Sequence, residues 1–276
     1  MTKEDILFHP SSLSKIMTDP LGAGITDKQL KTIKDYEPKG SKITEKQLKE
    51  LERLINKRDA PPELSETCKK HLIEVYVQVR FGREKDITNK YIAKGLHTEE
   101  DAITLLSRVK GEFYKKNSER ITNKYLTGEP DLFEGKDILH ADTTIDSKSC
   151  WDLFTFNNAK YVDKVNDAYE WQGLGYMDLT GAKKHVIAYC LVDLPLMMLN
   201  DMKRKLKWDM GVIDEENDAA YLEASEKLDL AFMYEDIPLE KRVHEVTIYR
   251  DEQKIKDNHE RIELCRDWMW ETFDWT

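Results

Sequence analysis

Over roughly the first eighty residues, hydrophobic positions recur every three or four places, the period of surface helices. "ITDKQLKTIKDY" (25–36) and "ITEKQLKELERL" (43–54) share the pattern I-T-x-K-Q-L-K at an 18-residue offset. The repeat is too short to signal a solenoid and predicts two small helices with solvated Lys faces. A Lys-rich arm along a phosphate backbone is the minor alternative. Thr44 and Gln47 have the spacing of a capping box. "DAPPE" (59–63) breaks the pattern, and a further helix is predicted over roughly 64–81, with Leu72, Val75, Tyr76 and Val79 on its apolar stripe.

From Thr98 the text changes. "TEEDAITLLSRVKGEFY" sets Ala102, Ile103, Leu106, Val109 and Phe113 at helical spacing behind Thr98 as N-cap. Strand-like text follows around 125–133 and 137–150, joined by a turn at "FEGKD". A second helix is predicted from about 162 to 180, closed by Gly181, and then the strand "HVIAYCLV". Residues 98–193 therefore read α-β-β-α-β, a mixed α/β core. Beyond Pro195 the chain reads as helical and acidic, ending in "WMWETFDWT", which reads as a tail docked on a core.

Composition narrows the class. Hydrophobic residues make up 40% of the 276 and include six tryptophans, enough for a real core. The richest apolar run, "HVIAYCLVDLPLMML", is cut by Asp193 and Pro195, well short of a membrane span. "MTKEDILFHP" has no signal-peptide core, so a cytoplasmic protein is expected. The four cysteines form no C-x-x-C pair, which disfavours zinc and iron–sulfur sites and predicts buried thiols in a reducing cell. The net charge of -10 excludes a wholesale polyanion binder. Residues 1–98 nevertheless carry 19 Lys and Arg against 15 Asp and Glu, while the remainder carries 24 against 38. Any basic face toward nucleic acid is therefore confined to the N-terminal half.

The candidate chemistry lies in "GEPDLFEGKDILHADTTIDSKSCWD" (128–152). Alternate side chains of a strand share a face, so Asp146 and Lys148 point one way and Ser147 the other, beside Ile145. Alone, Asp146 and Lys148 would be a surface charge pair of little worth, and Asp131 after Pro130 a turn acid. Two further features change the weighting. Glu99 has Ala102, Ile103 and Leu106 as its +3, +4 and +7 neighbours, so it lies on the apolar side of its helix. A first-turn acid behind Thr98 would explain an acid there, but not one on that side. On the second helix, Gln172 is the only amide on the stripe Val165, Tyr169, Gln172, Tyr176, Leu179. A buried amide is costly unless hydrogen-bonded, which reads either as a structural glutamine or as an anchor of the site.

In order, the chain presents G-x-x-x-E (Gly95, Glu99), P-D (Pro130, Asp131), D-x-K (Asp146, Lys148) and Q-x-x-x-Y (Gln172, Tyr176). This series, on α, β, β and α elements, resembles the PD-(D/E)xK nuclease superfamily, within it the branch of phage-lambda-type exonuclease and the RecB nuclease domain. "GLHTEEDAITLL", "GEPDLF", "IDSKSCWD" and "WQGLGYMDLTG" carry the resemblance, which spans about residues 91–195. It implies an α/β, restriction-endonuclease-like core, a mixed central sheet flanked by helices, at 91–195. A helical N-terminal extension (1–90) and an acidic helical C-terminal region (196–276) packed on the core would complete the chain.

The resemblance further implies a Mg2+-dependent deoxyribonuclease, with Mn2+ able to substitute. Asp131, Asp146 and the Ser147 carbonyl would hold the metal, with Glu99 binding it directly or through water. Lys148 would orient or deprotonate the attacking water, and Gln172 and Tyr176 would brace the site or touch the scissile strand. DNA with a duplex end is the implied substrate. A ring-shaped homo-oligomer and a single-strand annealing recombinase are the implied associates, in phage-type recombination or DNA processing in a bacterial host. An endonuclease of the same fold and a non-catalytic DNA-binding or scaffold protein are the alternatives. Two departures stand out. Ser147 occupies a position that is usually apolar and is expected to face away from the metal. His97 falls too early for the histidine that RecB-like members often carry on the first helix.

Overall fold

The structure, a computed structural model, describes residues 1–19, 27–59, 63–85 and 89–276. Its helices are α1 (Leu13–Ile16), α2 (Asp27–Tyr36), α3 (Glu45–Asp59), α4 (Glu66–Phe81), α5 (Lys90–Lys110), α6 (Leu153–Tyr161), α7 (Asp167–Thr180), α8 (Leu196–Met210), α9 (Ala219–Phe232) and α10 (Glu252–Thr272). Its strands are β1 (Ile121–Thr122), β2 (Thr127–Gly128), β3 (Leu132–Gly135), β4 (Ala141–Ser149), β5 (Lys184–Cys190) and β6 (Val243–Tyr249). The chain divides into two compact units, one of Met1–Ser14 and Lys85–His259, the other of Lys15–Glu84 and Glu260–Thr276.

The first unit holds a four-stranded sheet in the order β3-β4-β5-β6. Pairing is antiparallel for β3/β4, parallel for β4/β5 and antiparallel for β5/β6, the mixed, helix-flanked α/β sheet that was expected. One face carries Leu132, Ile145, Val186, Ala188 and Cys190 against Ala102, Ile103, Leu105 and Leu106 of α5. The other carries Ile187 and Ile248 against Leu174 and Met177 of α7. Strand alternation then assigns Thr144, Asp146 and Lys148 to the α7 side and Ser147 and Ser149 to the α5 side.

Several elements differ from expectation. Helix α5 begins two turns early, at Lys90, because the Asn89 side chain accepts hydrogen bonds from the Tyr91 and Ile92 amides. Thr98 is therefore mid-helix rather than a cap, its hydroxyl 2.8 Å from both the Lys94 carbonyl and Ser149 Oγ. At the other end, left-handed Gly111 (φ 68°) stops the helix, leaving Phe113 outside it and 90% exposed. The predicted 162–180 helix begins at Asp167, capped by Asn166, and is preceded by α6, which Asp152 caps. Strand β6 lies in text that reads as helical and covers the edge of β5.

In the second unit α2 and α3 pack through Ile33, Leu51 and Leu54. The capping box forms, with Thr44 and Gln47 exchanging backbone-to-side-chain hydrogen bonds of 3.1 and 3.3 Å. Residues 25–26, which open the first repeat, and 60–62 of the "DAPPE" break lie outside the described residues. The C-terminal aromatics dock on α4, where the Tyr76 ring stacks on Phe273 at 4.4 Å. All four cysteines are buried free thiols. Among the described residues, no helix is long and apolar enough to cross a membrane.

Candidate active site

The hairpin brings the two aspartates together. Leu132 pairs with Ile145, so one step further along the antiparallel register Asp131 faces Asp146. Asn117 fixes the entry to β3, its amide nitrogens donating to the Asp131 carbonyl at 2.7 Å and the Pro130 carbonyl at 3.1 Å. Asp131 Oδ2 accepts from the Ser147 N–H at 2.8 Å and from the Ser147 hydroxyl at 3.2 Å. The Ser147 hydroxyl thus touches a site carboxylate, where the sequence places it facing away. It stands on the α5 side of β4, but Asp131 comes in at the strand edge, within reach of both its donors.

Asp146 is 2% exposed and forms a close ion pair with Lys148. The oxygen that meets the Lys148 ammonium, Oδ2, is itself buried. That ammonium also reaches Gln172 Oε1 at 3.5 Å and lies over the Tyr169 ring at 5.0 Å. The Gln172 amide donates in turn to the Tyr176 hydroxyl at 3.3 Å. Asp131, Asp146, Lys148, Gln172 and Tyr176 therefore form one connected group. Helix α7 can deliver its two because it lies unusually close to its neighbours. A Cβ on Gly173 would stand 2.6 Å from His185 Cδ2, and one on Gly175 would stand 2.8 Å from Leu13 Cδ1.

Burial, and then the charge of Asp146, push the Asp131 carboxyl up to about 7, against the opposing pull of Ser147 and Lys148. Burial alone would lower Lys148, but Asp146 and Asp131 outweigh it and hold the ammonium above its ordinary value. Tyr176 is raised by burial and by the two carboxylates. His185, behind α7 with Nδ1 2.9 Å from Thr144 Oγ1, is pushed down to about 4 by burial and is neutral.

Glu99 is placed apart. It sits on α5, on the opposite side of the sheet from Asp146, and Lys116 holds its Oε2 at 2.6 Å. The Glu99 hydrogen bond above all, with the charges of Glu99, Asp131 and Glu100 behind it, holds the Lys116 ammonium above its ordinary value. Among the described residues no three His, Cys, Asp or Glu side chains gather as a metal cluster. The donors that do converge, the buried carboxylate of Asp146 and the half-buried one of Asp131, suit a hard divalent cation such as Mg2+.

Sequence reasoning missed the cleft beside Lys148, of about 580 Å3, walled by Tyr91, Trp151, Tyr169 and Tyr189. It also missed Lys94, which is 1% exposed and donates to the carbonyls of Cys150, Trp151 and Val192 at 2.8, 2.9 and 3.0 Å. Lys94 ties α5 to the ends of β4 and β5. Its signal was its i, i+4, i+8 alignment with Thr98 and Ala102, hidden by a helix start set at Thr98.

No protein-family model and no curated protein matches the chain. Among solved structures, it is similar to a phage-related exonuclease from Haemophilus somnus 129PT, at 24% identity and a TM-score of 0.62, over 95% of this chain and 93% of that one. It is also similar to an alkaline exonuclease from Laribacter hongkongensis, at 12% identity and a TM-score of 0.54, over 95% of this chain and 87% of that one. At these identities the likeness establishes a shared fold.

Proposed function

We propose that the chain is a Mg2+-dependent DNA nuclease of the PD-(D/E)xK type, and an exonuclease serving phage-type recombination or DNA processing. The observation that carries this reading is the convergence of Asp131, Asp146 and Lys148 with Gln172 on the hairpin and on α7. The names of the two structures of like fold, both exonucleases, favour an exonuclease over an endonuclease.

Asp131, Asp146 and the Ser147 carbonyl would hold the ion; in a strand, a carbonyl leaves on the same edge as its own N–H, here the Asp131 edge. Bound there, the ion would supply Lewis acidity toward the phosphate and the attacking water. Glu99, held by Lys116 on the α5 side of the sheet, is left outside the ion's ligands. Lys148, in an ion pair with Asp146, would orient or deprotonate the attacking water and balance the phosphate oxygens. Gln172 fixes the ammonium through Oε1 and passes a hydrogen bond to Tyr176, which braces the pair from α7.

The test is degradation of end-labelled linear duplex DNA with Mg2+ and, in parallel, with Ca2+. Cleavage should need Mg2+, spare closed circular DNA and vanish in Asp146→Ala and Lys148→Ala with the fold intact. Undiminished cleavage by both variants would remove the site assignment. A non-catalytic DNA-binding role is favoured by one feature, the separation of Glu99 from the aspartate pair. Retained DNA binding with no cleavage under any divalent cation would select it.

A further inference from the structure

We infer that the hydroxyl of Ser147 is a specificity-determining group that makes Asp131 a one-oxygen ligand and so selects small divalent cations over Ca2+. The inference rests on the nuclease reading above and adds a role for a residue which that reading uses only through its carbonyl.

The geometry supplies the reason. A carboxylate oxygen has about two lone-pair sites. Asp131 Oδ2 receives two donors from one residue, the Ser147 N–H at 2.8 Å and its hydroxyl at 3.2 Å. Oδ2 is then saturated, and Oδ1 is the oxygen Ser147 leaves unheld. An apolar side chain at this position, usual in the family that the sequence resembles, would supply the N–H alone and leave Oδ2 a second site. Neighbouring residues cannot substitute. Asp146 and Lys148 alternate to the α7 side, and Ser149 Oγ is engaged with Thr98 at 2.8 Å. The β3 entry is also anchored by Asn117, so Asp131 cannot easily turn away from Ser147.

The consequence is chemical. Mg2+ and Mn2+ take near-octahedral shells with single oxygens, whereas Ca2+ is larger and readily takes both oxygens of a carboxylate. Locking one oxygen therefore handicaps Ca2+ more than Mn2+. Replacing partners that orient a ligand commonly changes metal affinity by roughly 10- to 100-fold.

The experiment is calorimetric titration of the full chain with MnCl2 and with CaCl2, for wild type, Ser147→Ala, Ser147→Thr and Asp131→Asn. Ser147→Ala is expected to shift the Mn2+/Ca2+ affinity ratio toward Ca2+ by roughly tenfold, with an unchanged melting temperature, and Ser147→Thr to restore it. Ser147→Cys, a weaker donor of similar volume, should move the ratio the same way as alanine and serves if alanine does not fold. A ratio unchanged in both, in a protein whose Mn2+ binding is abolished by Asp131→Asn, overturns the inference and leaves the nuclease site standing. Wild type that binds neither ion overturns both.

Discussion

Replacing Asp131 by Asn should make the protein more stable at alkaline pH, by an amount that fades as the pH falls. The carboxyl is pushed up to about 7 from an ordinary 3.8, first by burial and then by Asp146. Between those values the folded chain keeps a proton that the unfolded chain has lost, so stability falls as pH rises through this window. At about 1.4 kcal/mol per tenfold change in affinity, the ceiling is roughly 4 kcal/mol above pH 7. Asparagine removes the charge and keeps an acceptor for the Ser147 amide, so a gain of about 2–4 kcal/mol is expected at pH 8, and almost none near pH 4. The wild-type profile alone does not test this. His185, depressed to about 4, contributes stability that is lost as pH falls from about 6.5, opposing the aspartate in the same range. The difference between variant and wild type isolates Asp131, read from urea unfolding at each pH. A variant no more stable than wild type at pH 8, or a difference that does not shrink toward pH 4, would refute the reasoning.

Two further outcomes are expected. Gly173→Ala should lower stability by about 1–3 kcal/mol, because a Cβ 2.6 Å from His185 forces α7 outward. That loss exceeds the roughly 1 kcal/mol alanine gains in helix propensity, and a thermal melt of the variant, alone and with His185→Ala, checks it through partial relief in the double variant. Lys94→Met should cost about 2–4 kcal/mol in urea unfolding, since three carbonyls lose their donor while one buried charge is relieved; a midpoint equal to wild type would contradict the strut.

The hairpin was the most legible part of the chain. A P-D pair, a turn and an alternating D-x-K are local signals, and antiparallel register carries Asp131 across to Asp146 without help from elsewhere. Gln172 and Tyr176 were legible for a related reason: one amide on an apolar stripe needs a partner, and Lys148 and Tyr176 are the partners. Glu99 shows where this reasoning stops. Helical periodicity placed it on the core side of α5, but which face of the sheet that helix covers is a tertiary fact. The Thr98 cap failed because Asn89 offered a better start further upstream. Strand β6 was masked by charge, since its half-exposed edge position tolerates His244 and Glu245 among valines. Helix α6 is nine residues with no sustained stripe, so only its Asp152 cap announced it.

The late position of β6 bears on how the chain is made. β5 ends at Cys190 and its covering strand begins at Val243, more than fifty residues later. At about 5–20 residues per second, a ribosome leaves that edge bare for roughly 3–10 seconds. During that interval the hydrogen-bonding groups of a strongly apolar strand, Val186 to Cys190, are open to any passing extended chain.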